Sequence, residues 1–334
     1  MKFLRYILSL LYGIVVWVRN MLFDEHLLYS YVPDIPTIGV GNLAVGGTGK
    51  TPHVEYIVQR LTEEGFRVAI LSRGYKRKTR GFLLADVNAT TDTIGDEPRQ
   101  MSLKFRDIPV AVCEDRIRGV RRLMKNFPEL DAVVLDDAFQ HRRIRCGYYI
   151  LLTPADRLYT NDHLLPYGRL REQSRGSLRA DAIVVTKCPD EIQPIEQRVI
   201  DSTLQPAAFQ DLYFSWLAYS NLPTESCYLL TAIAQPHYLE DKLGALVKAK
   251  LLFADHHRFT KLDFALVEKT FVGTAPICVT EKDYVRLVDS PYMTDTIRQR
   301  LHVVKIQVDM KNNKELFDKK LIRYVRENMK SRAS

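Results

Sequence analysis

Thr37-Ile38-Gly39-Val40-Gly41 runs directly into Asn42-Leu43-Ala44-Val45-Gly46-Gly47-Thr48-Gly49-Lys50-Thr51-Pro52, and a helical pattern follows from His53 to Thr62. A β-prone run, a glycine-rich turn and a helix, in that order, are what a Walker A phosphate loop requires. Chemistry explains the residue types. Gly46, Gly47 and Gly49 let successive backbone N–H groups curl around phosphate oxygens, with Ala44, Val45 and Thr48 completing the loop. Lys50 is placed to reach the β- and γ-phosphates, and the Thr51 hydroxyl to ligate Mg²⁺. Ala44 stands where the motif has its first glycine, a departure that leaves the other glycines in place.

A second nucleotide feature is required downstream, an apolar strand ending in a carboxylate that organises Mg²⁺. Ala132-Val133-Val134-Leu135-Asp136-Asp137 supplies it, which makes Thr51, Asp136 and Asp137 the expected metal ligands. Further strands are expected at Val68 to Ser72, Pro109 to Val112, Tyr148 to Thr153 and Ala182 to Thr186, with helical stretches between several of them. The fold class that follows is α/β, a P-loop NTPase-like, mostly parallel sheet with helices on both faces. Its ligands should gather at the carboxyl ends of the strands, beyond Gly41, Ser72, Leu135 and Thr186.

The chain has 334 residues, about two domains' worth, and a formal net charge of +8. Arg73 to Arg179 holds 21 Lys/Arg against 14 Asp/Glu, so nearly all of the excess lies in that stretch and an anionic partner is expected. No RRM, KH or similar pattern is visible, so nucleic acid is not the expected partner. Five cysteines are scattered singly, without a C-x-x-C pair, as in a reducing compartment. The uncharged run from Tyr6 to Val18 is short for a membrane span, about 20 Å of helix against about 30 Å of hydrocarbon. On a helix, Lys2, Arg5, Ser9, Tyr12, Gly13, Arg19 and Asn20 share a narrow stripe broken only by Val16. That is the pattern of a helix lying in a membrane interface, its cations toward anionic headgroups. Burial against the protein's own core is the alternative.

A phosphate loop does not name a reaction. Thr186-Lys187-Cys188-Pro189-Asp190 is one residue too long for the guanine motif [NT]-K-x-D, and Val45 stands where partitioning ATPases carry an additional lysine. What distinguishes the chain is a series of polar clusters: Arg73-Gly74-Tyr75, Gly95-Asp96-Glu97-Pro98, Asp137-Ala138-Phe139-Gln140-His141, Pro166-Tyr167-Gly168-Arg169-Leu170-Arg171-Glu172 and Asp255-His256-His257. In this order, with G-G-T-G-K-T, they resemble the tetraacyldisaccharide 4′-kinase family from the N-terminal helix to at least Asp283. The resemblance implies transfer of the γ-phosphoryl group of ATP, with Mg²⁺, to the 4′-hydroxyl of an acylated glucosamine disaccharide phosphate lipid, forming lipid IVA. It implies Asp96 as the catalytic carboxylate, His256 as its assistant, Lys50 on the transferred phosphate, and Tyr75 near the disaccharide. Arg73, Arg171 and Glu172 join Tyr75 as the expected substrate contacts. Ala138 departs from the family's usual D-D-G-F-Q-H.

Weighed alone, Asp96 reads more simply as a helix cap and His256 as an ordinary histidine; the pair gains a role only if folding joins them. Arg116, Arg118, Arg121, Arg122 and Lys125 recur at helical spacing, and most of them read as a solvated face. From about Gln205 the pattern restarts, with strands expected at Cys227 to Thr231, Ile277 to Thr280 and Val303 to Val308 and a final helix near Lys314 to Met329. The expected organisation is a membrane-interface helix (1–23), a P-loop kinase core (24–204) and a smaller C-terminal α/β lobe (205–334). Location on the cytoplasmic face of a bacterial inner membrane, as a peripheral enzyme, follows from the resemblance. The rival reading is a membrane-associated P-loop NTPase that acts as a switch or partner-binding module.

Overall fold

The computed structural model describes residues 2–189 and 211–329. Its first elements are α1 (Lys2–Asp24), β1 (Thr37–Asn42), α2 (Lys50–Glu63), β2 (Val68–Ser72), β3 (Leu83–Leu84), α3 (Thr91–Ile94), α4 (Asp96–Lys104) and β4 (Val110–Val112). They continue with α5 (Arg116–Asn126), β5 (Ala132–Asp136), β6 (Tyr148–Pro154), β7 (Ala182–Thr186), β8 (Asp211–Ser220), β9 (Cys227–Thr231), α6 (His237–Leu243) and β10 (Val247–Leu252). The last are α7 (Lys261–Thr270), β11 (Ile277–Thr280), α8 (Glu281–Val288), α9 (Asp295–Arg300), β12 (Leu301–Asn312) and α10 (Lys314–Met329).

One sheet contains all twelve strands, in the order β10-β9-β11-β12-β8-β7-β6-β1-β5-β2-β4-β3. The phosphate-loop strand β1 lies deep inside it, parallel to both β5 and β6. Every residue of β1, β2, β5 and β7 is buried. Continuous apolar runs of this kind are the mark of parallel strands covered on both faces. On one face Val54, Ile57, Val58 and Leu61 of α2 pack with Phe317, Leu321 and Val325 of α10 over Ile38, Val40 and Val134. On the other, Val120 and Leu123 of α5 cover Leu71, Val133 and Leu135.

The sheet does not stop where the second lobe was expected to begin. β12 pairs antiparallel with β8, from Lys305 opposite Ser220 to Asp309 opposite Trp216, and parallel with β11 on its other side. The C-terminal strands therefore extend the first sheet while keeping a core of their own around Leu230, Phe264, Val267, Phe271, Ile277 and Val279. α10, expected with the C-terminal lobe, packs on the nucleotide half. The boundary expected near residue 205, like Asp190 of the Thr186-to-Asp190 run, lies outside the described residues.

Helix α1 docks on the protein through the uncharged part of its stripe, while Lys2, Arg5 and Arg19 stay exposed: Ser9 Oγ donates to Leu164 O at 2.9 Å, Tyr12 Oη to Arg171 O at 2.7 Å, and Asn20 Nδ2 to Glu172 Oε2 at 2.8 Å. Gly13 permits this approach, because a Cβ there would sit 2.8 Å from Leu164 Cδ1. The apolar residues Phe3, Leu4, Leu11, Ile14, Val15 and Trp17 are left exposed. At 23 residues α1 is long and apolar enough to cross a membrane by length and composition, the run being longer than the uncharged stretch alone suggested.

Candidate active site

The carboxyl ends of the central strands converge on one cleft. β1 leads into the glycine loop, where Gly46 (φ 116°) and Gly49 (φ 84°) take the left-handed backbone that side chains disfavour. Ala44 needs no such conformation and pairs with Leu170 in a short bridge, so the missing first glycine is harmless. Lys50 opens α2; its Nζ donates to Asn42 Oδ1 at 3.3 Å and lies 3.6 Å from Asp137 Oδ1. Arg171 grips the same carboxylate, Nη2 to Oδ1 at 3.0 Å and Nη1 to Oδ2 at 3.2 Å. Burial works against ionisation of Asp137, but Lys50 and then Arg171 outweigh it and hold the group well below the usual carboxylate range.

Asp136, its neighbour, has the opposite environment. Burial, reinforced by the charge of Asp137, pushes its pKa up to about 6. Ser72 Oγ donates to Oδ2 at 3.1 Å, while Oδ1 is buried without a hydrogen-bond partner among the described residues. The family's Gly-for-Ala138 difference falls in the next position. The left-handed residue of this turn is Asp137 (φ 48°), and Ala138 is fully buried with its N–H donating to Val40 O. A methyl group therefore fits. Close approach is required instead at Gly41, where a Cβ would lie 2.5 Å from Phe139 Cβ.

Across the cleft, His256 Nδ1 lies 2.9 Å from Asp96 Oδ2. Asp96 is the first residue of α4, whose N-cap is Gly95, so its carboxylate is directed to the histidine rather than spent as a cap. A carboxylate accepts only, so Nδ1 carries the proton and His256 Nε2 is left to accept from Lys282 Nζ at 3.3 Å. Lys282 also pairs with Glu97 at 2.9 Å, and Arg286 Nε lies 3.5 Å from Asp96 Oδ2. Glu97 is partly buried, which works against its ionisation, yet Lys282 brings its pKa down to about 2. Tyr75 stands edge-on to the His256 ring with centroids 5.4 Å apart and is itself exposed. Arg73 is exposed at the end of β2, with no hydrogen bond or ion pair to another described residue.

Between the two sides lies a cavity of about 170 Å³, lined by Gly47, Gly49 and Thr51 of the phosphate loop and by Asp255, Glu281 and Lys282 of the C-terminal half. Tyr219, Ile233, Tyr238 and Ile306 give it an apolar end suited to a flat base. Within the Thr280-to-Asp283 run, the first three residues line this cavity, while Asp283 is buried on Thr231, Ala232 and Arg286.

Two expectations need correction. Glu172 does not face a substrate: it is 2% exposed, and its oxygens accept from Asn20, Gln140 and Arg179. Arg116 is not on a solvated face, being 2% exposed with its guanidinium on Cys113 O and Asp136 O. Other site residues were assigned no role from the sequence. His53 is buried with Nδ1 on Gly49 O at 2.7 Å and Nε2 on Ser215 Oγ at 2.9 Å, which braces the last glycine of the loop. Lys187, read only as part of a failed guanine motif, donates to Gly47 O at 2.6 Å, and burial lowers its pKa to about 8. Gln140 Nε2 donates to Asn42 O at 2.7 Å.

Comparison with known proteins agrees with this geometry. The family model for tetraacyldisaccharide-1-P 4′-kinase matches residues 1–326. A tetraacyldisaccharide 4′-kinase of Parabacteroides distasonis is 47% identical over 326 residues, covering 90% of this chain and 88% of the relative. One from Phocaeicola vulgatus is 40% identical over 351 residues, covering 98% and 96%. Among solved structures, the "apo" form of LpxK from Aquifex aeolicus in complex with ATP superposes with a TM-score of 0.75 at 27% identity, over 95% of this chain and 97% of that one. The chain belongs to the tetraacyldisaccharide-1-P 4′-kinase family.

Proposed function

We propose that the chain transfers the γ-phosphoryl group of ATP to the 4′-hydroxyl of a tetraacyldisaccharide 1-phosphate, forming lipid IVA, with Asp96 as the base that accepts the hydroxyl proton. The observation that carries this reading is the Asp96–His256 pair, set across the cleft from the phosphate loop. An alcohol must give up its proton as the new P–O bond forms, and a positioned carboxylate takes it. His256 orients Asp96 through Nδ1–H, and Lys282 fixes the other ring nitrogen. The backbone of residues 44–49 and Lys50 hold the triphosphate, while Arg171 and Lys50 face the charge that develops on the transferred group. A switch protein needs no base on the acceptor side, so this pair disfavours that alternative.

The residues present fit Mg²⁺. Asp136 Oδ1 is buried and has no donor among the described residues, and Thr51 lines the cavity beside the phosphate loop; carboxylate and hydroxyl oxygens of this kind suit Mg²⁺ together with substrate phosphates. When bound, the ion neutralises phosphate charge during transfer. Asp136 is the stronger ligand candidate, because Asp137 is already held by Arg171 and Lys50. Tyr75, exposed beside His256, and Arg73, exposed at the end of β2, are the acceptor-side contacts.

The exposed apolar face of α1 supports peripheral association with the inner membrane from its cytoplasmic side, where ATP is available. Because α1 is bound along its length from Ser9 to Asn20, lipid cannot surround it while it stays docked, and lying in the interface fits better than spanning. Incubation of purified protein with γ-labelled ATP and the disaccharide lipid tests the whole reading. Label in the lipid is expected; release of free phosphate alone defeats it.

A further inference from the structure

The loop of residues 162–172 is gripped from two sides. On the outer side it accepts the α1 hydrogen bonds at Leu164 O, Arg171 O and Glu172 Oε2. On the inner side Val45 N donates to Arg169 O at 2.9 Å, and Arg171 N donates to Leu43 O at 2.7 Å. The Arg171 guanidinium then reaches Asn42 O at 2.9 Å and Asp137 at 3.0 Å. Gln140 completes a continuous path, because its Nε2 donates both to Glu172 Oε1 at 3.0 Å and to Asn42 O at 2.7 Å. Asn20, Glu172, Gln140, Asn42 and Lys50 are thus joined in series by hydrogen bonds no longer than 3.3 Å.

Glu172 is the critical member. Its Oε2 accepts from both Asn20 and Arg179, so loss of Asn20 leaves the buried carboxylate one donor short and its remaining neighbours shift to make up the difference. The neighbours here are Gln140 and Arg179, and Gln140 shares with Arg171 the task of fixing Asn42 beside Lys50. We infer that α1 is a positioning element of the phosphate site: Asn20 and Tyr12, acting through Glu172 and Arg171, hold Asn42, Lys50 and Asp137 in the geometry of transfer. Seating of α1 on the loop therefore sets turnover, separately from what its outer face does at a membrane. The inference rests on the kinase reading above.

Asn20→Ala and Tyr12→Phe, in the full chain, test it with the lipid acceptor dispersed in detergent micelles. Both variants should lower kcat about tenfold and raise the KM for ATP while leaving the KM for the acceptor unchanged. Sedimentation with phosphatidylglycerol vesicles should be unchanged in both. Leu11→Gln, on the exposed face, should do the reverse, weakening sedimentation while keeping kcat in micelles. Binding of a fluorescent ATP analogue is read alongside, so that weaker binding in both variants supports the inference even if no acceptor is labelled by the wild type, an outcome that would defeat the kinase reading alone. Should Asn20→Ala fail to fold, Tyr12→Phe carries the test, since it removes one hydroxyl only. Wild-type kcat and nucleotide binding in the folded variants, or a loss confined to vesicle binding, overturns it.

Discussion

His256 Nδ1 lies 2.9 Å from Asp96 Oδ2 although 160 positions separate the two residues in the chain. The contact joins the start of α4 to the loop after β10, so the pair is assembled only when both halves of the sheet are in place. Asp96→Asn keeps the shape and loses the basic oxygen. Its kcat should fall by a factor of at least about 10² with nucleotide affinity and melting temperature near wild type. His256→Ala should cost less, because Asp96 remains. Steady-state kinetics with labelled ATP decide the matter, and near-normal turnover by Asp96→Asn would exclude it as the base.

Lys50 is held between Asn42 and Asp137, pointing into the phosphate site. Lys50→Ala removes the cation nearest the transferred group and should reduce kcat by about 10²–10³. Transfer close to the wild-type rate would mean that the glycine loop has been assigned the wrong task.

Asp136→Asn probes the metal set. The variant should need a higher Mg²⁺ concentration for half-maximal transfer, measured by titration. In chelator it should melt no lower than wild type, since it gives up a buried carboxylate with one oxygen unpartnered among the described residues. An unchanged Mg²⁺ requirement would remove Asp136 from the ligands.

His53 makes stability depend on pH. Burial lowers its pKa from 6.5 to about 4, so the folded chain keeps the ring neutral while the unfolded chain protonates it. Between these values the unfolded state binds the extra proton, so this contribution is complete above pH 6.5 and is lost as pH falls toward 4. The loss is at most about 3.5 kcal/mol, over about 2.5 pH units at about 1.4 kcal/mol each. Denaturant melts across that range should show the slope in wild type and a flatter one in His53→Gln; equal slopes would refute the assignment.

Local signals carried the nucleotide half of this site into view. Glycines 46, 47 and 49 before Lys50, and an apolar run before Asp136-Asp137, each state their chemistry within a few residues. Asp96 and His256 could be paired only through resemblance, because no local pattern encodes a contact made by folding. Glu172 and Arg116 were misplaced for a related reason: a charge read along the chain looks solvent-facing, whereas here each is buried by partners from other elements. The stripe on α1 was seen correctly as a stripe and given the wrong partner, since periodicity identifies a face without saying what covers it. β8 escaped notice because its buried centre, Tyr213 to Trp216, has no in–out alternation.

The pairing of β8 with β12 has a mechanical consequence. A cleft walled by two bodies on a loose tether can gape by letting the tether go slack, but here the halves are stitched by a ladder running from Lys305–Ser220 to Asp309–Trp216. Its width can change only as the ribbon is wrung, by small rotations shared over many residues.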